Sequence, residues 1–283
     1  MAEIAMSKAV SFGNGCDIDA ATLMDYLLDD PETDYVGAYI EGITDGGKFM
    51  KALRALAAKK PTLIWKGLIK QTGALMVEGL EELVDTMTAL VHLRRKGKRV
   101  AIIGPSGAVG VFSSDVAHSF GLSLPAFQSE TQKMLKRWFK TPGRSRNNPL
   151  DTGAPTLDHR ILTDVMQEVL LREPVDCLIV VLQLHQLGVL RPVVARMEGL
   201  PVPELGEYLE GFLRASVKMK NRTGKDIVAA FHNRANLPTD LETEGSCRLL
   251  RLRYNAKGIP VYLSVERALR AIKNSANFRP LSA

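Results

Sequence analysis

The sequence predicts an α/β protein with two doubly wound, mainly parallel sheets. Strand and helix patterns alternate along nearly the whole chain, as parallel sheets require because a helix connects successive strands. The order of strand, glycine-rich turn and helix also occurs twice, in residues 34–58 and 99–120. The 283 residues include 46% hydrophobic residues, which is enough for two cores. We therefore predict domains at 1–95 and 96–283.

The first half is predicted to contain four strands and three helices. Strands are expected near residues 8–13, 34–41, 61–66 and 74–77, and helices at 20–28, 47–58 and 79–93. Asp17 and Asp19 precede the first helix, where a carboxylate caps exposed N–H groups. A basic stretch, Arg94 to Arg99, closes this half and leads into the next.

The second half repeats the alternation over a longer stretch. Strands are expected at 99–103, 176–183, 226–231 and 260–263, and helices at 107–120, 129–139, 157–172, 203–221, 242–257 and 264–277. The helix at 129 opens with Ser-Glu-Thr-Gln, a capping-box pattern. A polar loop at 141–149 interrupts the regular elements.

Composition argues against several classes of protein. The net charge is +6, but Lys and Arg are spread along the chain instead of forming a basic patch. Because the sequence also has no nucleic-acid-binding motif, polyphosphate ligands are favoured over nucleic acid. Three dispersed cysteines and five histidines show no metal-ligand spacing. No apolar run reaches the roughly 20 residues of a membrane span, and the N-terminus lacks a signal core. We expect a cytoplasmic protein without a metal site or membrane contact; its start resembles the middle of a longer protein.

Two turns carry the functional signal. A strand ends at Glu41, and glycines lead into a helix at Lys48; a similar turn spans Ile103 to Gly110. N–H groups and the dipole of a helix start attract phosphate. The candidate phosphate-binding residues are Gly42, Asp45, Gly46, Gly47, Ser106, Gly107, Ala108, Val109 and Gly110. Two such turns favour phosphoryl transfer, although Glu41 could simply cap a helix and the second turn could simply permit close packing.

Ordered motifs then resemble the NDP-forming acyl-CoA synthetases (acetate–CoA ligase, ADP-forming type), relatives of succinyl-CoA synthetase. The matching segments are 7–19, 27–33, 39–48, 66–67, 70–83, 104–115, 129–132, 148–151 and 258–268. They cover nearly the whole chain in the order of the family. Each motif alone is moderately specific for this family, and their occurrence in the family order is much more specific.

The resemblance implies two flavodoxin-like domains of the succinyl-CoA synthetase type. A phosphohistidine on a mobile loop carries a phosphoryl group between distant sites, and each domain presents a helix start to it. Glu41 matches the family glutamate that holds the histidine, and both turns match the helix starts. Lys66, Asn148 and Asp151 are weaker site candidates.

The resemblance also implies cofactors and partners for the complete enzyme. These are CoA and ATP or ADP with Mg, a CoA-binding domain, an ATP-grasp domain or subunit, and a small carboxylic acid. Neither of those domains matches a segment of this sequence, so we expect no cofactor to be bound firmly by this chain. A homo-oligomer is possible.

One family segment is missing. The stretch Ser-His-Thr-Gly should follow Lys66-Gly67, but the chain continues through residues 68 and 69 to Lys70-Gln-Thr-Gly, which fits a later family segment. The phosphohistidine loop is thus absent near 67–70, either because the protein lacks it or because the sequence omits a loop that the protein has. We predict the central domains of an NDP-forming acid–CoA ligase. The alternatives are a non-catalytic binding or scaffold module that lost the loop, and a flavodoxin-like nucleotide or flavin binder.

Overall fold

The chain packs into two compact units in a computed structural model. The model describes residues 5–12, 17–40, 42–65, 73–94, 97–140, 144–153, 159–184, 193, 195–197, 199, 201, 204–232 and 241–278. The first unit comprises Met1–Val91 and Asn274–Ala283, and the second His92–Lys273. The division after Val91 lies near the predicted boundary at 95. The sequence did not predict that the C-terminal segment belongs to the first unit.

The first unit is a parallel sheet between helices. Its elements are α1 (Ala20–Asp29), β1 (Val36–Tyr39), α2 (Gly46–Lys59), β2 (Thr62–Trp65), β3 (Leu75–Met76) and α3 (Leu80–His92). The described strands have the order β1-β2-β3 and pair in parallel. Neighbouring strand residues point to opposite faces. Ile64 accordingly packs with α1 and α2, while Leu63 packs with Leu90 of α3 and with Phe278.

The first predicted strand, 8–13, is wrong over its described residues. Residues 8–12 form no strand. Instead, Lys8 donates hydrogen bonds of 2.8 Å to Asp30 and to Glu32, just after α1. Side-chain contacts of this kind, rather than a main-chain ladder, hold the segment.

In its described residues, the second unit contains a five-stranded parallel sheet with the order β5-β4-β6-β7-β8. Its elements are β4 (Val100–Gly104), α4 (Gly107–Ser119), α5 (Ser129–Leu135), β5 (Leu150–Asp151), α6 (His159–Arg172), β6 (Cys177–Gln183), α7 (Leu205–Thr223), β7 (Asp226–His232), α8 (Leu241–Ala256), β8 (Val261–Tyr262) and α9 (Val265–Asn277). β6 and β7 are buried along nearly their whole length, which is typical of strands covered on both faces. The sequence analysis predicted no strand at β5, which directly follows the polar loop at 141–149.

A buried ion pair lies at the amino ends of β6 and β7. Lys220 Nζ lies 3.4 Å from Asp226 Oδ1, and both side chains are almost completely inaccessible. The same ammonium group donates to the carbonyl oxygens of Gly258 and His92, at 2.6 and 2.9 Å. Burial lowers the pKa of Lys220, and the charge of Asp226 opposes that shift. This pair lies at the end of the sheet opposite to the one where α/β proteins bind ligands.

Candidate functional site

In the first unit, the start of α2 lies at the carboxyl end of β1 and is open to solvent. Asp45 caps the helix, since its Oδ1 accepts a 2.9 Å hydrogen bond from the N–H of Lys48. A Cβ placed on Gly42 or Gly46 would meet nothing within 4 Å, and one on Gly47 would meet only Asp45. A ligand therefore has room at this turn. The Asp45 carboxylate caps the helix. That Asp45 also contributes to phosphate binding stays a prediction.

Lys48 is a cation that the sequence analysis did not single out at this turn. Its Nζ donates to both carboxylate oxygens of Asp19, at 3.2 and 3.1 Å, and to the Thr22 hydroxyl at 3.0 Å. Asp19 also caps α1 by accepting hydrogen bonds from the N–H and the hydroxyl of Thr22. Hydrogen bonds from Thr22 first, and then from Lys48, lower the pKa of Asp19 to about 2. The starts of α1 and α2 are thus joined through one ammonium group.

Two predicted site residues of this unit, Glu41 and Lys66, lie outside the described residues, as does the segment 67–70. Their roles stay predictions that follow from the family resemblance.

In the second unit, α4 begins beyond the carboxyl end of β4 with a neutral cap. Ser106 Oγ accepts a 3.3 Å hydrogen bond from the N–H of Val109. Because this cap is neutral, the capping residue places no negative charge at the positive end of the helix dipole. A Cβ on Gly104 would come within 3.0 Å of Val109, whereas one on Gly107 would meet only Asp151 Oδ2, at 3.5 Å. Gly104 therefore permits close packing, and Gly107 leaves space at the helix start.

A small pocket adjoins this turn at the carboxyl ends of β4, β5 and β6. Its lining includes Gly104, Pro105, Thr152, Gln183 and the buried Tyr208. Burial raises the pKa of Tyr208, so this phenol stays protonated at neutral pH. The pocket combines apolar walls with a few polar groups, as ligand sites in α/β proteins do.

Of the two weaker candidates in this unit, Asp151 lies at the α4 start. Its Oδ2 faces Gly107, and its Oδ1 accepts a 2.7 Å hydrogen bond from the N–H of Gly153. The Asn148 side chain instead bonds the main chain of the core. It accepts from the N–H of Ile102 at 3.0 Å and donates to the carbonyl oxygens of Val100 and Pro125 at 2.8 and 3.1 Å.

Arg144 is a second cation that sequence reasoning missed, because it lies within the polar loop. Its Nη1 donates a 3.2 Å hydrogen bond to the carbonyl oxygen of Thr152, a residue of the pocket. The guanidinium group occupies the space that a Cβ on Gly153 would need. The glycine there, with φ of 70°, allows this close approach.

The described ranges contain no group of three or more His, Cys, Asp or Glu side chains that could hold a metal ion. Within the same ranges, every helix is too short or too polar to cross a bilayer.

Comparisons with known proteins agree with this architecture. Residues 1–68 match the family model of the succinyl-CoA ligase like flavodoxin domain. The alpha subunit of acetate–CoA ligase [ADP-forming] II from Pyrococcus furiosus is 28% identical over 81% of this chain and 52% of its own length. Acetate–CoA ligase [ADP-forming] I from Archaeoglobus fulgidus is 27% identical over 99% of this chain and 39% of its own length.

Solved structures show the same fold. The crystal structure of PH0766 from Pyrococcus horikoshii OT3 has a TM-score of 0.69 at 27% identity, covering 94% of this chain and 58% of that one. The apo form of dinucleotide forming acetyl-coenzyme A synthetase 1 from Ca. Korarchaeum cryptofilum, at 22% identity and a TM-score of 0.68, shows the fold alone.

These findings confirm the resemblance: the chain is similar to ADP-forming acetate–CoA ligases, and residues 1–68 match the flavodoxin domain of succinyl-CoA ligases. It spans about half the length, or less, of the two curated relatives described above. The Archaeoglobus alignment extends over 307 residues, more than the 283 of this chain. That relative therefore has residues for which this chain has no counterpart.

Proposed function

We propose that this chain forms the two flavodoxin-like domains of an NDP-forming acid–CoA ligase. The complete enzyme would move a phosphoryl group between an acyl phosphate and a nucleotide by way of a phosphohistidine. The observation that carries the proposal is the match along 99% of the chain to an ADP-forming acetate–CoA ligase. The two glycine-bordered helix starts at the carboxyl ends of strands support it.

The geometry supplies groups for binding a travelling phosphoryl group. Main-chain N–H groups of Gly46 and Gly47 in one unit, and of Gly107 in the other, lie at positive helix ends. The space beside Gly46 is open, whereas the Asp45 carboxylate lies near Gly47 and the Asp151 carboxylate near Gly107. Such preorganised donors stabilise the oxygens of a phosphoryl group. Lys48 adds a positive charge in the first unit, and Arg144 adds one beside Thr152 in the second. Glu41 would hold the imidazole of the phosphohistidine.

The remaining reactants require other domains. We assign CoA to a CoA-binding domain, and ATP or ADP with Mg to an ATP-grasp domain or subunit, as the family resemblance implies. The name of the Pyrococcus furiosus relative, a subunit alpha, supports assembly with a second subunit. The substrate would be a small carboxylic acid, and the enzyme would act in the cytoplasm, where it could form a homo-oligomer.

The missing phosphohistidine loop favours one competing function. None of the five histidines stands in a Ser-His-Thr-Gly segment, and the Archaeoglobus alignment contains residues that this chain lacks. If the protein itself has no loop, the chain is a non-catalytic binding or scaffold module that retains the fold.

Two measurements separate these functions. We expect the full-length protein, incubated with radiolabelled ATP or acyl phosphate and its partner domains, to give an acid-labile phosphoprotein. We also expect an intact mass above 31.1 kDa, because the loop would add to it. A mass equal to that value, together with no labelling, would establish the scaffold module instead.

A further inference from the structure

A cationic face lies on α5 and the helical turns that follow it. Four exposed basic residues form it: Lys133, Lys136, Arg137 and Lys140. The main chain stays helical beyond the end of α5, because the N–H groups of Lys136 and Arg137 donate to carbonyl oxygens in the preceding turn. The first three residues have the i, i+3, i+4 spacing that places side chains on one side of a helix. The sequence analysis described the basic residues as spread along the chain, which is wrong for this segment.

The opposite side of the same segment is fixed in the core. Leu135 and Phe139 are buried in the hydrophobic cluster of the second unit, and Trp138 packs partly against that cluster. Arg146 bonds the end of the segment, since its Nε donates a 2.8 Å hydrogen bond to the carbonyl oxygen of Phe139. The main chain that carries the cations is therefore anchored, and their Cβ atoms keep fixed positions.

Pairing within the protein neutralises only one of these cations. Lys133 lies 3.3 Å from Glu130. Lys136, Arg137 and Lys140 make no ion pair with any residue in the part of the chain that the structure describes, and the sequence has no acidic residue from 131 to 150. Like charges three or four residues apart destabilise a helix. The helix dipole favours a cation in the last turn of α5, where Lys133 already stands, so the other three remain unexplained by the fold.

The cationic face is connected to the pocket of the second unit. Its end is bonded to Arg146, whose neighbour Ser145 accepts, with its carbonyl oxygen, a 2.9 Å hydrogen bond from the N–H of Asp151 at the end of β5. Arg144 donates to the carbonyl oxygen of Thr152, which lines the pocket. A ligand held on the face is therefore close to the carboxyl edge of the sheet.

We infer that the cationic face binds the phosphate chain of a nucleotide-type ligand. The ligand chemistry is a diphosphate or triphosphate, as in ADP, ATP and CoA. Linked phosphates concentrate several negative charges in a short chain, which matches cations on adjacent helical turns. Arg137 contributes a fork that binds phosphate oxygens in pairs, and the lysines contribute point charges. Binding here requires neither phosphoryl transfer nor the phosphohistidine loop, so this inference and the proposed function can fail separately.

Trp138 lies within the segment and provides the measurement. The chain contains two tryptophans, Trp65 and Trp138, so Trp65→Phe leaves Trp138 as the only tryptophan signal. Titration of the full chain with ATP, ADP, CoA and inorganic tripolyphosphate should change its fluorescence saturably. AMP, with a single phosphate, should bind more weakly, and added salt should weaken binding of all of them. Equal affinity for ATP and tripolyphosphate would show that the phosphates alone are recognised, whereas tighter binding of one nucleotide would identify the source.

Two matched double variants test the location of binding. Lys136→Gln with Arg137→Gln removes two charges from the cationic face and should weaken binding at least about tenfold. Lys51→Gln with Arg54→Gln removes two exposed charges from α2 in the other unit and should leave the affinity within about twofold of the parent. Circular dichroism checks that both variants fold. Absence of saturation with every polyphosphate would overturn the inference, as would equal weakening by the two double variants.

Discussion

Single residues at the first helix pair show how charge is placed beside a candidate phosphate site. A cation is normally disfavoured at a helix start, yet Lys48 occupies the first turn of α2. Asp19 compensates by binding its ammonium group while capping α1. The ion pair with Asp19 lets the fold carry a cation next to Gly46 and Gly47 at little electrostatic cost.

This contact should make stability depend on pH. The pKa of Asp19 is about 2 in the folded protein, below the usual value of about 3.9. Its contribution is therefore fully present above about pH 4 and is lost as the pH falls through about 2. We expect Asp19→Asn to lower the melting temperature by a few degrees at pH 7. The difference from the parent should shrink between pH 4 and pH 2; a constant difference would exclude this role.

Glu41 carries the sharpest residue-level expectation of the proposed function. In an intact enzyme containing the histidine loop, Glu41→Gln should slow phosphoryl transfer without unfolding the protein, because the amide cannot hold a protonated imidazole by charge. Turnover kinetics and circular dichroism measure the two effects. An unchanged turnover rate would refute the role of Glu41.

Among the elements, α4 combines a neutral cap with a glycine at its first residue, Gly107, which the Asp151 carboxylate faces. Replacing Ser106 by Ala removes the cap and should cost about 1 kcal/mol in the free energy of unfolding. Ser106→Asp should retain stability, since Asp is also a good cap, but its charge should repel phosphate. Urea unfolding and phosphoryl transfer in the assembled enzyme separate these effects. Full transfer activity in Ser106→Asp would argue against phosphate binding at α4.

The Asn148 amide acts at the scale of elements, because it bonds β4 and the segment before α5 at once. Asn148→Ala leaves the main-chain groups of Val100, Ile102 and Pro125 without this partner. We expect a loss of roughly 2–5 kcal/mol in the free energy of unfolding of the second unit. Lys140→Ala, an exposed change nearby, should have little effect. If urea unfolding showed the same stability for Asn148→Ala as for the parent, these hydrogen bonds would contribute nothing to the free energy of unfolding.

At the scale of the whole molecule, the C-terminal segment completes the first unit. Asn274 Nδ2 donates to Glu82 Oε1 and to Thr86 Oγ1, at 2.8 and 3.0 Å. Phe278 is buried with Leu63 and Leu90. The cores of β2 and α3 therefore depend on residues about 190 positions further along the chain.

Phe278→Ala should destabilise the first unit by about 3 kcal/mol, because it leaves a cavity in that cluster. Hydrogen exchange should accelerate in β2 and α3 and stay unchanged in β6 and β7. Phe278→Leu, which fills more of the space, should have a smaller effect. Equal acceleration in both sheets would contradict the division of the chain into these units.

The sequence by itself determined the α/β class, the helices and the cap at Asp19, because those features depend on neighbours within a few residues. Its ordered motifs also determined the family resemblance. Only the tertiary structure decided that residues 8–12 form no strand, that β5 extends the second sheet, and that Lys48 binds Asp19. The place of Phe278 was decided there as well. Each of these depends on which distant segments meet, and a local pattern of residues does not encode that.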